Sequence, residues 1–358
     1  MMNRWNVGKR LLPLFAGIML LLSACGRADL STLNPQGPVA EEQYGLMKLA
    51  ISIMIFVVIV VFAISLYVIV RFRRRPGDNK IPVQVEGNHK LEIIWTVIPL
   101  ILLVILAVPT VNSVFGLAKD YSKDKDAIKV EVTSHQFWWE FYYPEYDIRT
   151  AQELVIPTGK KIAISAKSGD VMHAFWIPSL AGKIDTNPGA ADANGTANTN
   201  KMYFEAPKAG VYLGKCAELC GPSHALMDFK VKAVDEASFE NWKTAQKAPV
   251  ALPSDPAIKD AIVSNCLSCH AIGDQGGLSF PNLSDIGSRS TVGGILVNTN
   301  DAKYKNEGTT EENLKRWIED PNAVKPGALM PAFKDELSEQ EIDGIAKYLA
   351  GLKIDYEK

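Results

Sequence analysis

Cysteine and histidine are scarce in this sequence, five of each in 358 residues, and a strong net charge is missing, the balance being −2 at neutral pH. Without a basic excess, the chain has no electrostatic footprint for a nucleic-acid partner. The scarcity of the two ligand residues makes their placement informative. Four of the five cysteines form close pairs, Cys216 with Cys220 and Cys266 with Cys269, and each pair has a histidine just downstream, His224 or His270. Cys25 stands alone. Charge is also lacking locally: residues 49–70 and 93–117 contain no Asp, Glu, Lys or Arg. Hydrophobic residues make up 47% and charged residues 22% of the whole, close to ordinary globular usage, so the apolar surplus belongs to the first third. The length accommodates two compact domains besides membrane segments.

Both uncharged runs are long enough to cross roughly 30 Å of hydrocarbon, and runs of this length are rare as buried core helices. The second contains Pro99 and Pro109, which spanning helices tolerate when neighbours satisfy the freed carbonyls. The connection begins Arg71-Phe72-Arg73-Arg74-Arg75 and later holds Lys80 and Lys90. The positive-inside rule places it in the cytoplasm, with both long ends of the chain on the outer face. Before the first run, Arg4, Lys9 and Arg10 precede an apolar stretch over residues 11–22, the layout of a signal peptide. Leu22-Ser23-Ala24-Cys25 follows and resembles a bacterial lipobox, which implies a lipid anchor on Cys25. The alternative is an ordinary signal peptide with an incidental cysteine.

Residues 127–233 alternate short β-prone runs with turns. Ile128-Lys129-Val130-Glu131-Val132 and Lys161-Ile162-Ala163-Ile164 are two of the runs. Pro157-Thr158-Gly159 and Pro207-Lys208-Ala209-Gly210 are turns. The pattern predicts a sandwich or barrel. At its end stands Cys216-Ala217-Glu218-Leu219-Cys220-Gly221-Pro222-Ser223-His224-Ala225-Leu226-Met227. Gly221 and Pro222 oppose a continuous helix, so two thiols, an imidazole and a thioether share a loop. Thiolate with thioether is a soft set that selects copper. Two thiolates can bridge two copper ions, with His173 supplying a second imidazole from another strand region. A disulfide or a zinc site are the other readings of the pair.

This loop, with His173-Ala174-Phe175-Trp176-Ile177-Pro178 and Gly182-Lys183-Ile184-Asp185, resembles subunit II of haem–copper cytochrome c oxidases over roughly residues 40–233. The resemblance implies a cupredoxin fold carrying the binuclear copper centre CuA. Cys216 and Cys220 would bridge the metals, His173 and His224 would cap them, and Met227 and the backbone carbonyl of Glu218 would be weak axial ligands. It also implies a magnesium ion shared with subunit I and reached by the Glu218 carboxylate. One departure concerns Gln136-Phe137-Trp138-Trp139, where the family has tryptophan at the first aromatic, associated with electrons received from soluble cytochrome c. Phe137 puts that route in doubt and makes Trp138 a substitute.

Cys266-Leu267-Ser268-Cys269-His270 has the spacing of a c-type haem attachment, two thioethers and an adjacent imidazole for the iron. A redox dithiol and half a zinc knuckle are its rivals, but no further cysteine pair remains to complete a zinc site. Met330, in a loop between two helical patterns, is the candidate for the sixth iron ligand. Methionine beside histidine raises the haem potential. The second pattern opens with the capping box Ser338-Glu339-Gln340-Glu341 and continues with Ile342, Ile345 and Leu349 on one face. The layout looks like the small helical cytochrome c fold.

The expected protein is multidomain: a lipoprotein signal peptide over 1–25, a two-helix transmembrane hairpin over 45–118, an all-β cupredoxin-like CuA domain over 119–233, an Ala/Pro/Lys linker over 234–253, and an all-α cytochrome c domain over 254–358. Together these resemble subunit II of a caa-type oxidase in a bacterial plasma membrane. Such a subunit passes electrons from an external cytochrome c or other donor through haem c and CuA to subunit I, which reduces oxygen to water with proton translocation. No catalytic residue for that chemistry is expected in this chain. A short linker would hold the cytochrome at roughly millimolar effective concentration, making the missing tryptophan less necessary. A CuA subunit of a nitric oxide reductase and a free-standing electron shuttle are the alternatives, and the hairpin argues against the shuttle.

Overall fold

The computed structural model describes residues 27–74, 86–189, 199–298 and 308–356, with position 17 and five positions of the 75–85 connection. Cys25 and, apart from position 17, the expected signal peptide lie outside these residues. Two long helices come first, α1 (Pro38–Arg71) and α2 (His89–Leu117). Proline at the start of α1 suits a position whose N–H has no helical acceptor. Asn88 caps α2, its Oδ1 accepting from the N–H groups of Lys90 and Leu91. Pro99 and Pro109 lie within α2. The apolar flanks of both helices are exposed. Near the ends remote from the basic connection they touch through Ser113 Oγ and Glu42 Oε1, 2.5 Å apart.

The middle of the chain is a sandwich of two five-stranded sheets. One contains β1 (Ile128–His135), β2 (Trp138–Tyr143), β3 (Ile148–Ala151), β5 (Lys161–Ser168) and β8 (Asn200–Glu205), in the order β3-β2-β1-β5-β8. The other contains β4 (Glu153–Pro157), β6 (His173–Trp176), β7 (Lys183–Thr186), β9 (Gly210–Cys216) and β10 (Asp228–Val234), in the order β4-β10-β9-β6-β7. Aromatic rings fill the space between the sheets: Phe175 stacks on Phe229 at 4.6 Å, and Trp139 meets both. Phe141 and Tyr143 are buried, as core residues should be. The β9–β10 hairpin carries the cysteine loop, and β6 begins at His173, so adjacent strands of one sheet bring the distant ligands together.

Residues 234–253 differ from the expected linker. More than half of that stretch is helix α3 (Glu236–Gln246), capped by Asp235 through the Ser238 N–H. Phe239 and Trp242, three apart on one helical face, are buried in the sandwich core, and Trp242 lies 5.1 Å from the Tyr143 ring. The Ala/Pro/Lys composition downstream concealed this apolar pair.

The last part of the chain is mainly helical: α4 (Pro256–Asn265), α5 (Thr310–Glu319), the short α6 (Pro321–Val324) and α7 (Glu339–Gly351), with two ladders of two-residue strands. Capping boxes start α5 at Thr309 and α7 at Ser338. Ile262, Leu314, Ile318, Ile342, Ile345 and Leu349 form its core. Beyond α7 the chain returns to the sandwich, where Ile354 and Tyr356 join the first core.

Candidate copper centre and haem cavity

The cysteine loop curls so that its donors face one another. Cys216 Sγ lies 3.8 Å from Cys220 Sγ, 3.8 Å from His173 Nδ1 and 3.2 Å from the Glu218 carbonyl oxygen. Cys220 Sγ lies 3.6 Å from His224 Nδ1 and 3.8 Å from Met227 Sδ. All six donors named from the sequence thus converge. Both cysteines are free thiols, so the disulfide reading does not describe this structure.

His173 is fully buried, and its Nε2 is 2.8 Å from Asp170 Oδ1. That carboxylate fixes the ring and leaves Nδ1 facing the sulfurs, the outer-shell support that metal-binding histidines use. Burial works against the charged imidazole, but Asp170 and Cys216 together outweigh it and the His173 pKa is raised. Two thiolates this close cannot both form easily without a cation. Burial opposes the Cys216 thiolate, yet His173 and the Ala174 backbone hold its pKa down to about 7. Burial and neighbouring Cys216 push Cys220 up to about 12. A soft metal ion would resolve that conflict, so the donor set fits copper.

The CxxCH segment ends α4 and opens onto a cavity of about 360 Å³. Cys266, Cys269 and His270 line one part of it, and Met330, Phe333 and Trp317 another. His270 Nδ1 donates to the Pro281 carbonyl at 2.7 Å, which leaves Nε2 as the free ligand atom. Burial lowers the His270 pKa, favouring the neutral imidazole a metal needs. Burial raises the Cys266 thiol to about 11, away from the acidified thiols of redox dithiols. A large apolar cavity with two thiols, an imidazole and a thioether fits an attached haem.

Gln136, Phe137 and Trp138 of the sandwich also line this cavity. Gln136 Nε2 in turn donates to the Cys220 carbonyl at 2.6 Å. Phe137 is only 4% exposed, an interior residue at the domain boundary and not a surface aromatic. Trp138 is buried too and stacks on His135 at 4.2 Å. Gly327 lets the two domains close here: at φ +82, a Cβ would sit 3.0 Å from Pro222 Cγ and 3.1 Å from Phe137 Cε2.

Sequence reasoning missed the polar seam around this contact. Lys325 Nζ donates to the Phe137 and Gly293 carbonyls at 2.6 and 2.9 Å, and burial pulls its pKa down to about 8. Ser223 Oγ, next to His224, donates to the Pro326 carbonyl at 2.5 Å. Further along, Glu153 of β4 accepts from Ser290 N and Oγ at 2.7 and 2.5 Å and pairs with Lys232 at 2.6 Å. Only Asp170, three residues before His173, left a local signal in the sequence.

Comparison with known proteins agrees in each segment. Residues 30–112 match the cytochrome c oxidase subunit II transmembrane domain, residues 147–234 its periplasmic domain, and residues 258–353 cytochrome c. Cytochrome c oxidase subunit 2 of Bacillus sp. (strain PS3) is 47% identical over 99% of this chain and 100% of its own length. The protein of the same name from Bacillus subtilis (strain 168) is 42% identical over 99% of both chains. Quinol oxidase subunit 2 of that strain is 38% identical but covers 65% of this chain and 71% of its own. Among solved structures, the periplasmic domain of cytochrome oxidase subunit II from Bradyrhizobium japonicum is 29% identical, covering 34% of this chain and 93% of that one at a TM-score of 0.31. The matched domains imply copper and haem in a membrane-anchored electron-transfer subunit of a haem–copper oxidase, and the chain belongs to the cytochrome c oxidase subunit II family, with a cytochrome c domain at its carboxy-terminal end.

Proposed function

We propose that this chain passes electrons from an external donor through a covalently bound haem c to a binuclear CuA centre, and from there to oxidase subunit I. When bound, the two groups supply one-electron redox chemistry at potentials set by their ligands. Cys216, Cys220, His173 and His224 would hold the coppers, with Met227 and the Glu218 carbonyl completing the donor set. The Glu218 carboxylate serves a magnesium ion shared with subunit I. Cys266 and Cys269 would hold the haem covalently, and His270 and Met330 would ligate its iron. Both long helices span a bacterial plasma membrane, with the metal domains outside and a lipid on Cys25.

The observation that carries this reading is the continuity of the two sites. Residues 136–138 line the haem cavity while Gln136 bonds the backbone of Cys220. With both groups bound, residues 136–138 would form a common wall between them. Phe137, where relatives of the family use tryptophan to receive electrons from a separate cytochrome, serves here as an internal spacer.

Two spectra of the purified full chain test it. The reduced protein should show a c-type haem band, and the oxidised protein a near-infrared copper band. Cys220→Ser should abolish the second and spare the first. Loss of both bands would overturn the division into two sites. In rapid-mixing experiments haem reduction should precede copper reduction, and the reverse order would overturn the proposed direction.

A further inference from the structure

We infer that Gln152, a residue of the copper-binding sandwich, belongs to the haem site of the neighbouring domain and donates its side-chain amide to a carboxylate of the haem. The inference rests on the haem reading above. Gln152 sits between β3 and β4 at φ +68 and is 6% exposed. Its backbone is fully engaged, the N–H donating to the Trp139 carbonyl and the carbonyl accepting from Lys230 N. Its Oε1 accepts from Trp139 N at 2.9 Å, which fixes the orientation of the amide, since an NH₂ could not accept there. The remaining group, Nε2, is buried without a partner, and Gln152 is one of the residues lining the haem cavity. A buried amide donor left in this way calls for an acceptor, and an occupant of the cavity can bring one.

Neighbouring residues support that reading. At Gly294 (φ +81) a Cβ would lie 2.1 Å from Gln152 Nε2, so glycine is what lets the amide reach this point. The two buried cations on the same wall are already engaged. Arg289 binds Asp285 Oδ1 and the Asn282 carbonyl, and Lys325 binds the Phe137 and Gly293 carbonyls. The acceptor chemistry that haem brings is its pair of propionate carboxylates. A copper-domain amide bound to one of them makes the haem site a two-domain construction.

The test uses Gln152→Glu in the full chain with haem attached. The replacement has the same length and keeps an oxygen for Trp139 N–H, but turns the donor into an acidic acceptor. Pyridine haemochrome assay and mass spectrometry report haem content, equilibrium titration the midpoint potential, and resonance Raman the propionate bending modes. The haem should be retained, its potential lowered and the propionate band shifted. Gln152→Asn, which tolerates positive φ but falls one methylene short, should shift the same band without adding charge and lower the potential less. An unmoved propionate band in both variants would overturn the inference, whatever the added charge does to the potential. If the glutamate variant alone fails to retain haem, repulsion has acted at assembly and the asparagine variant decides. Absence of haem from the unmodified protein would instead defeat the underlying haem reading.

Discussion

Lys325 Nζ lies 2.6 Å from the Phe137 carbonyl oxygen, so a buried ammonium of the cytochrome domain grips the backbone of the aromatic stretch bordering the copper loop. The same nitrogen holds Gly293 within its own domain. Lys325→Met should fill the space but leave both carbonyls without their donor, destabilising the docked arrangement by about 1–3 kcal/mol. Faster amide exchange at residues 136–138, and a slower haem-to-copper step in flash photolysis with both metal bands intact, are the expected outcomes. An unchanged rate would show that the clamp does not set the distance between the centres.

Met330 tests the axial assignment. It shares the cavity of His270 and stands in a loop between α6 and α7. The intact protein should not bind carbon monoxide at haem c, because no iron position is open. Met330→Ala should lower the midpoint potential and create a carbon monoxide adduct visible in the reduced spectrum.

Trp242 tests the unexpected helix. It is 1% exposed and packs on Tyr143 and Phe239. Trp242→Ala should cost about 3–5 kcal/mol, as large core truncations do. Urea unfolding followed through the copper domain should show it, whereas a true linker residue would change little.

Glu153 governs an acid-sensitive joint. Burial alone would raise its pKa, but Lys232 and Lys230 outweigh that and hold it at about 2 against an ordinary value of 4.5. A depressed carboxylate contributes stability above its unfolded pKa and loses it as pH falls through the folded one. The contribution should therefore be complete above about 4.5 and vanish toward 2. Melting temperatures of the protein and of Glu153→Gln, compared at intervals across that window, should differ most at the upper end and converge at the lower.

The convergence of the candidate copper donors was legible because five of the six lie within twelve residues, with a spacing that a loop can close upon a metal. His173 was within reach because its own stretch carries the family pattern. The candidate haem-attachment segment was legible for the same reason, and the Ser338 capping box marked α7 directly. The seam between the domains left no such trace. Lys325 and Phe137 are 188 positions apart, and Ser290 and Glu153 137 apart. A lysine in a Pro/Gly loop reads as solvated until folding buries it against two carbonyls. Helix α3 was hidden differently, by two aromatics in a polar sequence followed by a true Ala/Pro segment.

Tyr356 adds a topological consequence. The chain leaves the sandwich after α3, builds the cytochrome domain, and comes back to set Ile354 and Tyr356 in the first core. The cytochrome domain is thus strapped at both ends, like a buckle threaded back through its own belt. A copper-domain fragment cut after α3 would lose a piece of its own interior, and a severed cytochrome domain would keep its haem cavity but surrender the wall that residues 136–138 provide.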